Sequence, residues 1–353
     1  MAQAKYMAYV GSYSYNGKAK GITIFDVDVE KGVFIPRTEV EVDNSSYVIP
    51  SHNKKTLYSI ADEGIVAFRI LENGNLSRLN SARINGMRGC HISLDKTDRY
   101  IFVSGYHDGK STILRLRRDG GVGMIVDEVF HKGLGSVAER NFRPHVNCTR
   151  RTPDGKYVLV VDSGLDQVKI YRFNDKEEHL FQVDTIPCEP ESSPKCFRFS
   201  ADGRFAYLLY QQKNMIEVYT YAPGDRIPDL NKIQEISTHG KKSNALTAAC
   251  SMRFSCDEQQ THMFCGNAGD ETVTIYDRDP ESGLLTMKGS LPISGEYPKD
   301  IAVFPDNQHI ACLNNGSSSI TFFHVDYEKG LLVMSANAIK CNEPNSCAIV
   351  RVR

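Results

Sequence analysis

The sequence predicts one all-β domain over residues 1–353, a seven-bladed β-propeller of four-stranded antiparallel blades. Three observations predict this fold. One unit recurs along the chain: a short strand, a polar turn often containing Asp and Gly, an apolar strand, a second turn and an alternating strand. Successive copies are separated by about the length of one propeller blade. No stretch carries a sustained helical period of apolar residues with caps at both ends.

The repeat also predicts where the blades lie. Copies of the unit start at Tyr47, His91, His145, Lys195, Ser251 and Asp300. Each apolar run is short, rich in Val, Ile, Tyr and Phe, and bounded by Gly-containing turns, which is typical of strands in hairpins. The apolar strands are predicted to begin near Met7, Thr56, Tyr100, Tyr157, Ala206, His262 and His309.

The two ends of the sequence predict how the ring closes. The first run, YMAYVGSY, reads as a second strand with no first strand before it, and the last run, SCAIVRV, reads as the missing first strand. Pairing these runs would leave no open sheet edge, which would otherwise invite aggregation. The longest connections are predicted at Leu134–Arg143 and Asn244–Cys250.

Composition excludes several classes of protein. The formal net charge is -1, which argues against a nucleic-acid partner because phosphates are bound by a clustered basic face. No run of 18 apolar residues is present, so no membrane partner is expected, and the N-terminus lacks the pattern of a signal peptide. We therefore predict a cytoplasmic protein, a monomer or weak homodimer, whose ten cysteines stay reduced. No metal-binding motif is present, and no cofactor is expected.

The chain resembles the seven-bladed propeller lactonases, a family that includes a bacterial type of 6-phosphogluconolactonase and the fungal carboxy-cis,cis-muconate cyclases. The most specific part of the resemblance is PDGKYVLVVDSGLDQV within residues 140–171. The other segments follow in order: YVGSYS (9–14), GCHIS (89–93), SGYHDGKSTI (104–113), SPKCFRFSADGRFAY (193–207) and GEYPKDIAVFPDNQHIACLNN (295–315). Together they cover essentially the whole chain.

The resemblance implies a site at one mouth of the central channel. The family's Pro-His step matches His145 in RPHVN, and its Pro-Arg-His step matches Lys195 in SPKCF, where Arg-His has become Lys-Cys. The family's glutamate falls in LLYQQKN, at Gln211 or Gln212, and its Asn-Arg pair has become Asn267 and Ala268.

Opening a lactone with water requires a base for the water and a positive group for the charge that develops on the carbonyl oxygen. His145 is the predicted base, and the stiff Arg143-Pro144 approach holds it in place. Lys195, predicted to occupy the corresponding place in the next blade, supplies a point charge. The predicted substrate-binding residues are His91, His107, Arg143, Gln212, Asn267 and Lys299.

Other reactive residues have plainer interpretations. Asp162 and Asp166, in DSGLD, are too few for a calcium site, and Asx-type hydrogen bonds that stabilise the turn are the better interpretation. Cys196 lies beside Lys195, but a covalent thiolate would need a histidine neighbour that the sequence does not show.

Three functions remain open from sequence alone. The first is a cytoplasmic, cofactor-independent lactonase acting on a sugar-acid lactone or sugar phosphate, with 6-phosphogluconolactone as one candidate. The second is a muconate-type cycloisomerase, which the lost arginines and glutamate make less attractive. The third is a non-catalytic propeller that binds a small ligand or a protein partner, since fold alone does not dictate function.

Overall fold

In a computed structural model, the described residues of the chain form 28 β-strands and no helix. The described residues are 4–135, 143–241, 243–244 and 246–352. The first strands are β1 (Tyr6–Ser12), β2 (Gly21–Asp28), β3 (Val33–Glu41), β4 (Val48–Pro50), β5 (Thr56–Ala61), β6 (Gly64–Ile70), β7 (Leu76–Arg83), β8 (His91–Leu94), β9 (Tyr100–Gly105), β10 (Lys110–Leu116), β11 (Val122–Phe130), β12 (Val146–Arg151), β13 (Tyr157–Asp162) and β14 (Gln167–Asn174). The remaining strands are β15 (His179–Pro187), β16 (Pro194–Phe199), β17 (Phe205–Tyr210), β18 (Met215–Ala222), β19 (Asp229–Ser237), β20 (Ala248–Phe254), β21 (His262–Ala268), β22 (Thr272–Arg278), β23 (Leu285–Pro292), β24 (Pro298–Val303), β25 (His309–Asn314), β26 (Ser319–Asp326), β27 (Leu331–Lys340) and β28 (Pro344–Arg351).

The strands form seven antiparallel sheets of four, each a simple meander. Six sheets take their strands in chain order, β4 to β7 being the first of these and β24 to β27 the last. The seventh has the order β28-β1-β2-β3, so the last strand of the chain pairs with the first. This arrangement confirms both the predicted all-β blades and the predicted closure by the C-terminal strand.

The second strand of each sheet is the most buried, and the sequence located these strands closely. All six residues of β13 and β17 are buried, as are those of β25. Five of the seven begin at the predicted residue, while β1 and β17 begin one residue earlier, at Tyr6 and Phe205. The outer strands contain mainly partly buried and exposed residues.

The contacts divide the chain into two compact units. We call the first strand of each sheet its leading strand. One unit contains the sheets whose leading strands are β20, β24 and β28, and the other contains those whose leading strands are β8, β12 and β16. The β4–β7 sheet has residues in both units. In the second unit, Cys148, Leu159 and Phe197 belong to a core cluster joining the β12 and β16 sheets. In the first unit, Phe25, Phe304 and Phe322 join the β28 and β24 sheets in the same way. Within each unit, the leading strands of consecutive sheets lie side by side.

Three further features of the chain bear on the sequence predictions. All ten cysteines are free, and Cys148, Cys265 and Cys312 are buried, whereas Cys90 and Cys196 are partly buried. Most of the predicted Leu134–Arg143 connection, residues 136–142, lies outside the described residues. Within the part of the chain that the structure describes, no helix is long and apolar enough to cross a membrane.

Candidate functional site

The backbone of His145 is fixed by Asp162. His145 directly precedes β12, and Asp162 is the last residue of β13, the strand that pairs with β12. The Asp162 carboxylate is fully buried, and its Oδ1 accepts the backbone N–H of His145 at 2.8 Å. The same oxygen accepts the N–H groups of Gly164 and Leu165, each at 3.0 Å. The predicted turn-stabilising role of Asp162 is therefore confirmed, and the turn it organises positions the histidine.

The imidazole of His145 is oriented by the main chain of Tyr106. The Nδ1 atom lies 2.9 Å from the carbonyl oxygen of Tyr106. A carbonyl can only accept a hydrogen bond, so Nδ1 must carry the proton in this contact. In the neutral ring the lone pair is then on Nε2. The neutral imidazole can therefore accept a proton only at Nε2.

Tyr106 also supports the ring by stacking. Its ring lies nearly parallel to the His145 imidazole, with centroids 4.2 Å apart and an interplanar angle of 12°. His107 meets the same tyrosine ring edge-on, at 5.4 Å and 87°, and its own side chain is exposed. The sequence analysis missed Tyr106. The available signal was the GYHDG turn, in which the predicted His107 is directly preceded by an aromatic residue.

His131 completes the surroundings of Asp162 and was also missed. Its Nδ1 lies 2.7 Å from the second oxygen of Asp162, and both side chains are fully buried. Burial lowers the pKa of His131, and the hydrogen bond to Asp162 opposes that effect without overcoming it. His131 is therefore neutral in the neutral pH range and donates a hydrogen bond to Asp162 through Nδ1.

Lys195 lies on a β-bulge at the start of β16. The ladder between β16 and β17 shifts between Pro194 and Cys196, which leaves Lys195 as the extra residue. Bulges re-aim a side chain and are common beside functional sites. The Lys195 Nζ donates a hydrogen bond to Oε1 of Gln211 at 2.8 Å.

The register corrects the predicted alignment of the two proposed catalytic residues. Pro194 pairs with the last residue of β17, and Val146 pairs with the last residue of β13. Lys195 is therefore equivalent to Asn147, two residues after His145, and the prediction that it occupies the place of His145 is wrong. The same bulge in the other unit falls on Cys250, Lys299 and Asn345. The proline shared by RPHV and SPKC suggested the wrong register. Pro194 directly precedes the bulge residue Lys195, whereas Pro144 lies three residues before the bulge residue Asn147.

Of the two adjacent glutamines, Gln211 is the one that contacts Lys195. Gln211 directly follows β17 and is half-buried, whereas the Gln212 side chain is exposed. The backbone N–H groups of both residues are held by the turn before β16, at the carbonyl oxygens of Ser193 and Ser192. The Asp166 carboxylate fixes this turn by accepting the N–H of Ser193 at 2.8 Å.

Cys90 connects the two halves of the candidate site. Its Sγ donates to the carbonyl oxygen of Val146, the residue after His145, at 3.4 Å. Burial raises the pKa of the Cys90 thiol to about 12, although the positive charge of Lys195 acts in the opposite direction. Cys90 thus contacts the residue that follows His145 and lies within range of the Lys195 charge. His91, the next residue, is buried with its Nε2 3.9 Å from the Cys148 sulfur.

The remaining predicted residues are placed as follows. Arg143 is exposed. In the other unit, Asn267 is fully buried and its Nδ2 donates to the carbonyl oxygen of Thr238 at 2.7 Å, a contact that holds the main chain. Lys299 lies on the equivalent bulge with Nζ 4.8 Å from the centre of the Tyr297 ring, and burial lowers its pKa.

Several known proteins are similar to this chain over most of its length. A curated relative, the 6-phosphogluconolactonase of Bacillus subtilis, is 28% identical over 85% of this chain and 86% of its own. A Bacteroides fragilis crystal structure, described as a candidate 6-phosphogluconolactonase, is 28% identical, covers 99% of this chain and 98% of its own, and superposes with a TM-score of 0.88. The periplasmic gluconolactonase of Pseudomonas aeruginosa is 24% identical, with coverages of 99% and 100% and a TM-score of 0.91, and this likeness supports the fold alone.

The match to a family model extends over nearly the whole chain. The family is described as "Lactonase, 7-bladed beta-propeller", and its model matches residues 7–350. The predicted fold class and the predicted class of enzyme, a lactone hydrolase, are both confirmed at this level. Seven four-stranded sheets, a last strand that completes the first sheet, and this end-to-end match show that the chain belongs to the family of seven-bladed β-propeller lactonases.

Proposed function

We propose that the protein hydrolyses a sugar-acid lactone, with 6-phosphogluconolactone as the leading substrate, and that His145 and Lys195 carry the reaction. The observation that carries the proposal is the fixed tautomer of His145, whose Nδ1–H is committed to the Tyr106 carbonyl. The named activity of the Bacillus subtilis relative supports the choice of substrate. We further propose that the protein is cytoplasmic, for which the ten free cysteines are the support, since thiols stay reduced in that compartment.

The reaction begins with water. Nε2 of His145 accepts a proton from a water molecule while the oxygen of that water forms a bond to the lactone carbonyl carbon. The electron pair of the carbonyl moves to its oxygen, where the ammonium group of Lys195 stabilises the developing negative charge. When the carbonyl re-forms, the bond to the ring oxygen breaks and the imidazolium returns its proton to that oxygen. The product is an open-chain hydroxy acid, and His145 is neutral again.

The partner of Lys195 suits this role. Gln211 accepts a hydrogen bond from Nζ and so restricts the side chain, but an amide carries no net charge. A carboxylate in the same place would neutralise the ammonium and reduce its attraction for an oxyanion. The hydrogen bond to Gln211 therefore orients Lys195 without neutralising the positive charge of its ammonium group.

The decisive experiment compares the wild type with His145→Asn and His145→Gln on a panel of aldonolactones, with products identified by mass spectrometry. The Asn amide can replace Nδ1–H at the Tyr106 carbonyl while offering no base. We expect a loss of about 10²–10⁴-fold in kcat in both variants, typical for a positioned base. An unfolding temperature close to that of the wild type would show that the fold is intact. Full activity in His145→Asn would refute the assignment.

A further inference from the structure

Three arginines occupy the same position on the leading strands of three consecutive sheets. Arg150 on β12, Arg198 on β16 and Arg253 on β20 each pair with the third residue of the second strand in their sheet. They are therefore structurally equivalent. The surroundings of these arginines nevertheless differ, and the difference points to a ligand.

In one unit the arginine is neutralised by a carboxylate on the next leading strand. Arg253 donates to Asp300 on β24 through two nitrogens, with Nε 2.8 Å from Oδ1. Asp300 also accepts the backbone N–H of Cys347 at 3.0 Å. Such a bidentate pair satisfies both the charge and the geometry of a guanidinium group.

In the other unit the position of that carboxylate is taken by a thiol. Asp300 pairs with the fifth residue of β25, and Cys196 pairs with the fifth residue of β17, so the two are equivalent. Cys196 therefore has the same relation to Arg150 that Asp300 has to Arg253. Burial raises the pKa of the Cys196 thiol to about 11, so it carries no negative charge at neutral pH. The charges of Arg198, Lys195 and Arg150 all act on this thiol and lower its pKa only in part.

Arg150 is half-buried, and none of the described residues compensates its guanidinium charge with a carboxylate. Its Nε is buried without a hydrogen-bond partner, and across the described ranges no carboxylate forms an ion pair with it. A buried donor without a hydrogen bond costs free energy, and in a native structure such a group calls for an ion, a ligand or a water molecule. An anion in this place would make the contacts that Asp300 makes to Arg253.

We propose that Arg150, with Arg198 and Lys195 beside it, forms an anion subsite between β12 and β16, and that the natural ligand is the phosphate group of a phosphorylated sugar lactone. The proposal rests on the proposed lactonase function, because Lys195 would link the subsite to the reacting carbonyl. It adds that the enzyme selects anionic over neutral lactones. Arg150 is a binding residue here and takes no part in proton transfer.

The binding test uses inorganic phosphate and 6-phosphogluconate as probes, measured by calorimetric titration and thermal shift. Charge-assisted hydrogen bonds predict that Arg150→Met raises the dissociation constant for both by about ten- to a hundredfold, with Arg150→Lys intermediate. The matched control is Arg118→Met, which removes an exposed arginine from a turn and should bind as the wild type does.

A second pair of variants tests the site without removing the arginine. Cys196→Asp recreates the carboxylate seen beside Arg253, so it should raise the unfolding temperature in the absence of ligand and abolish the shift caused by phosphate. Cys196→Ser keeps the position neutral and should retain the shift. Wild-type binding of phosphate by both Arg150→Met and Cys196→Asp would overturn the proposal, as would the lack of any phosphate binding by the wild type.

Kinetics separate this proposal from the lactonase assignment. Arg150→Met should raise the KM for 6-phosphogluconolactone at least about tenfold more than the KM for unphosphorylated gluconolactone. Equal effects on the two substrates would reject the subsite and leave the lactonase function standing. Arg150-dependent phosphate binding in a protein that hydrolyses no lactone would support the subsite and reject the lactonase function.

Discussion

The ring of Tyr106 lies against the imidazole of His145 at 4.2 Å, while the main-chain carbonyl of the same tyrosine accepts the Nδ1–H of that imidazole. One residue thus fixes both the plane and the rotation of the proposed base. Two contacts from a single residue leave the imidazole little freedom. A substitution of the Tyr106 side chain therefore removes the stacking contact and leaves the main-chain hydrogen bond in place.

Tyr106→Leu should lower kcat by roughly two- to tenfold, since an aromatic contact of this kind is worth about 0.5–1.5 kcal/mol and the carbonyl contact is retained. Tyr106→Phe keeps the ring and should behave as the wild type does. Steady-state kinetics on a hydrolysed lactone measures both. A strong loss in Tyr106→Phe would show instead that the phenol hydroxyl has a role of its own.

The pair of Lys195 and Gln211 predicts an effect of added charge. Lys195→Met should lower kcat by about 10²–10³-fold if the ammonium stabilises the oxyanion. Gln211→Glu should also lower kcat, because the new carboxylate would pair with Nζ, and the loss should become smaller as the carboxylate is protonated at low pH. Gln211→Met is the control that removes the hydrogen bond without adding charge. Increased activity in Gln211→Glu would contradict the proposed role of Lys195.

His131 predicts a pH dependence of stability. In the unfolded chain this histidine titrates near its usual pKa of 6.5, whereas burial lowers its pKa in the folded protein. Between those two pKa values the unfolded state binds more protons than the folded state. The contribution of His131 to the stability of the folded protein is therefore fully present above about pH 6.5 and is lost as the pH falls towards the folded pKa. Urea unfolding at about pH 7.5 and about pH 5.5 should show a smaller loss of stability in His131→Asn than in the wild type. The control, His52→Asn, changes an exposed histidine and should keep the wild-type slope.

The sequence predicted the fold almost completely because blades repeat a local pattern. The second strands are short, apolar and followed by turns, so Thr56, Tyr100, Tyr157, His262 and His309 were recognised as first residues from their neighbours alone. The pairing of the last strand with β1 was predicted from what the first blade lacked. Both inferences depend only on the residue types within single strands and turns.

The site was predicted less well because its geometry depends on contacts between segments. A bulge adds one residue without a distinctive sequence, so the equivalence of Lys195 to Asn147 rather than to His145 emerges only from the ladder. Tyr106 acts partly through its carbonyl, a group that every residue has. His131 lies 31 positions from Asp162, and no local pattern reveals that contact. Gln211 and Gln212 differ only in which way each side chain points.

The pairing of β28 with β1 has a consequence for synthesis in the cell. β1 begins at Tyr6, and its partner begins at Pro344, so nearly the whole chain must be translated before the first sheet can be completed. At about 5–20 residues per second this delay is roughly 20 to 70 s. Throughout that time the hydrogen-bonding groups on the β28 side of β1 are available to other nascent chains, whereas those on its other side pair with β2. A ribosome that stalls before codon 344 would therefore release a product whose first sheet lacks a strand, and such truncated chains are expected to require chaperones or to be degraded.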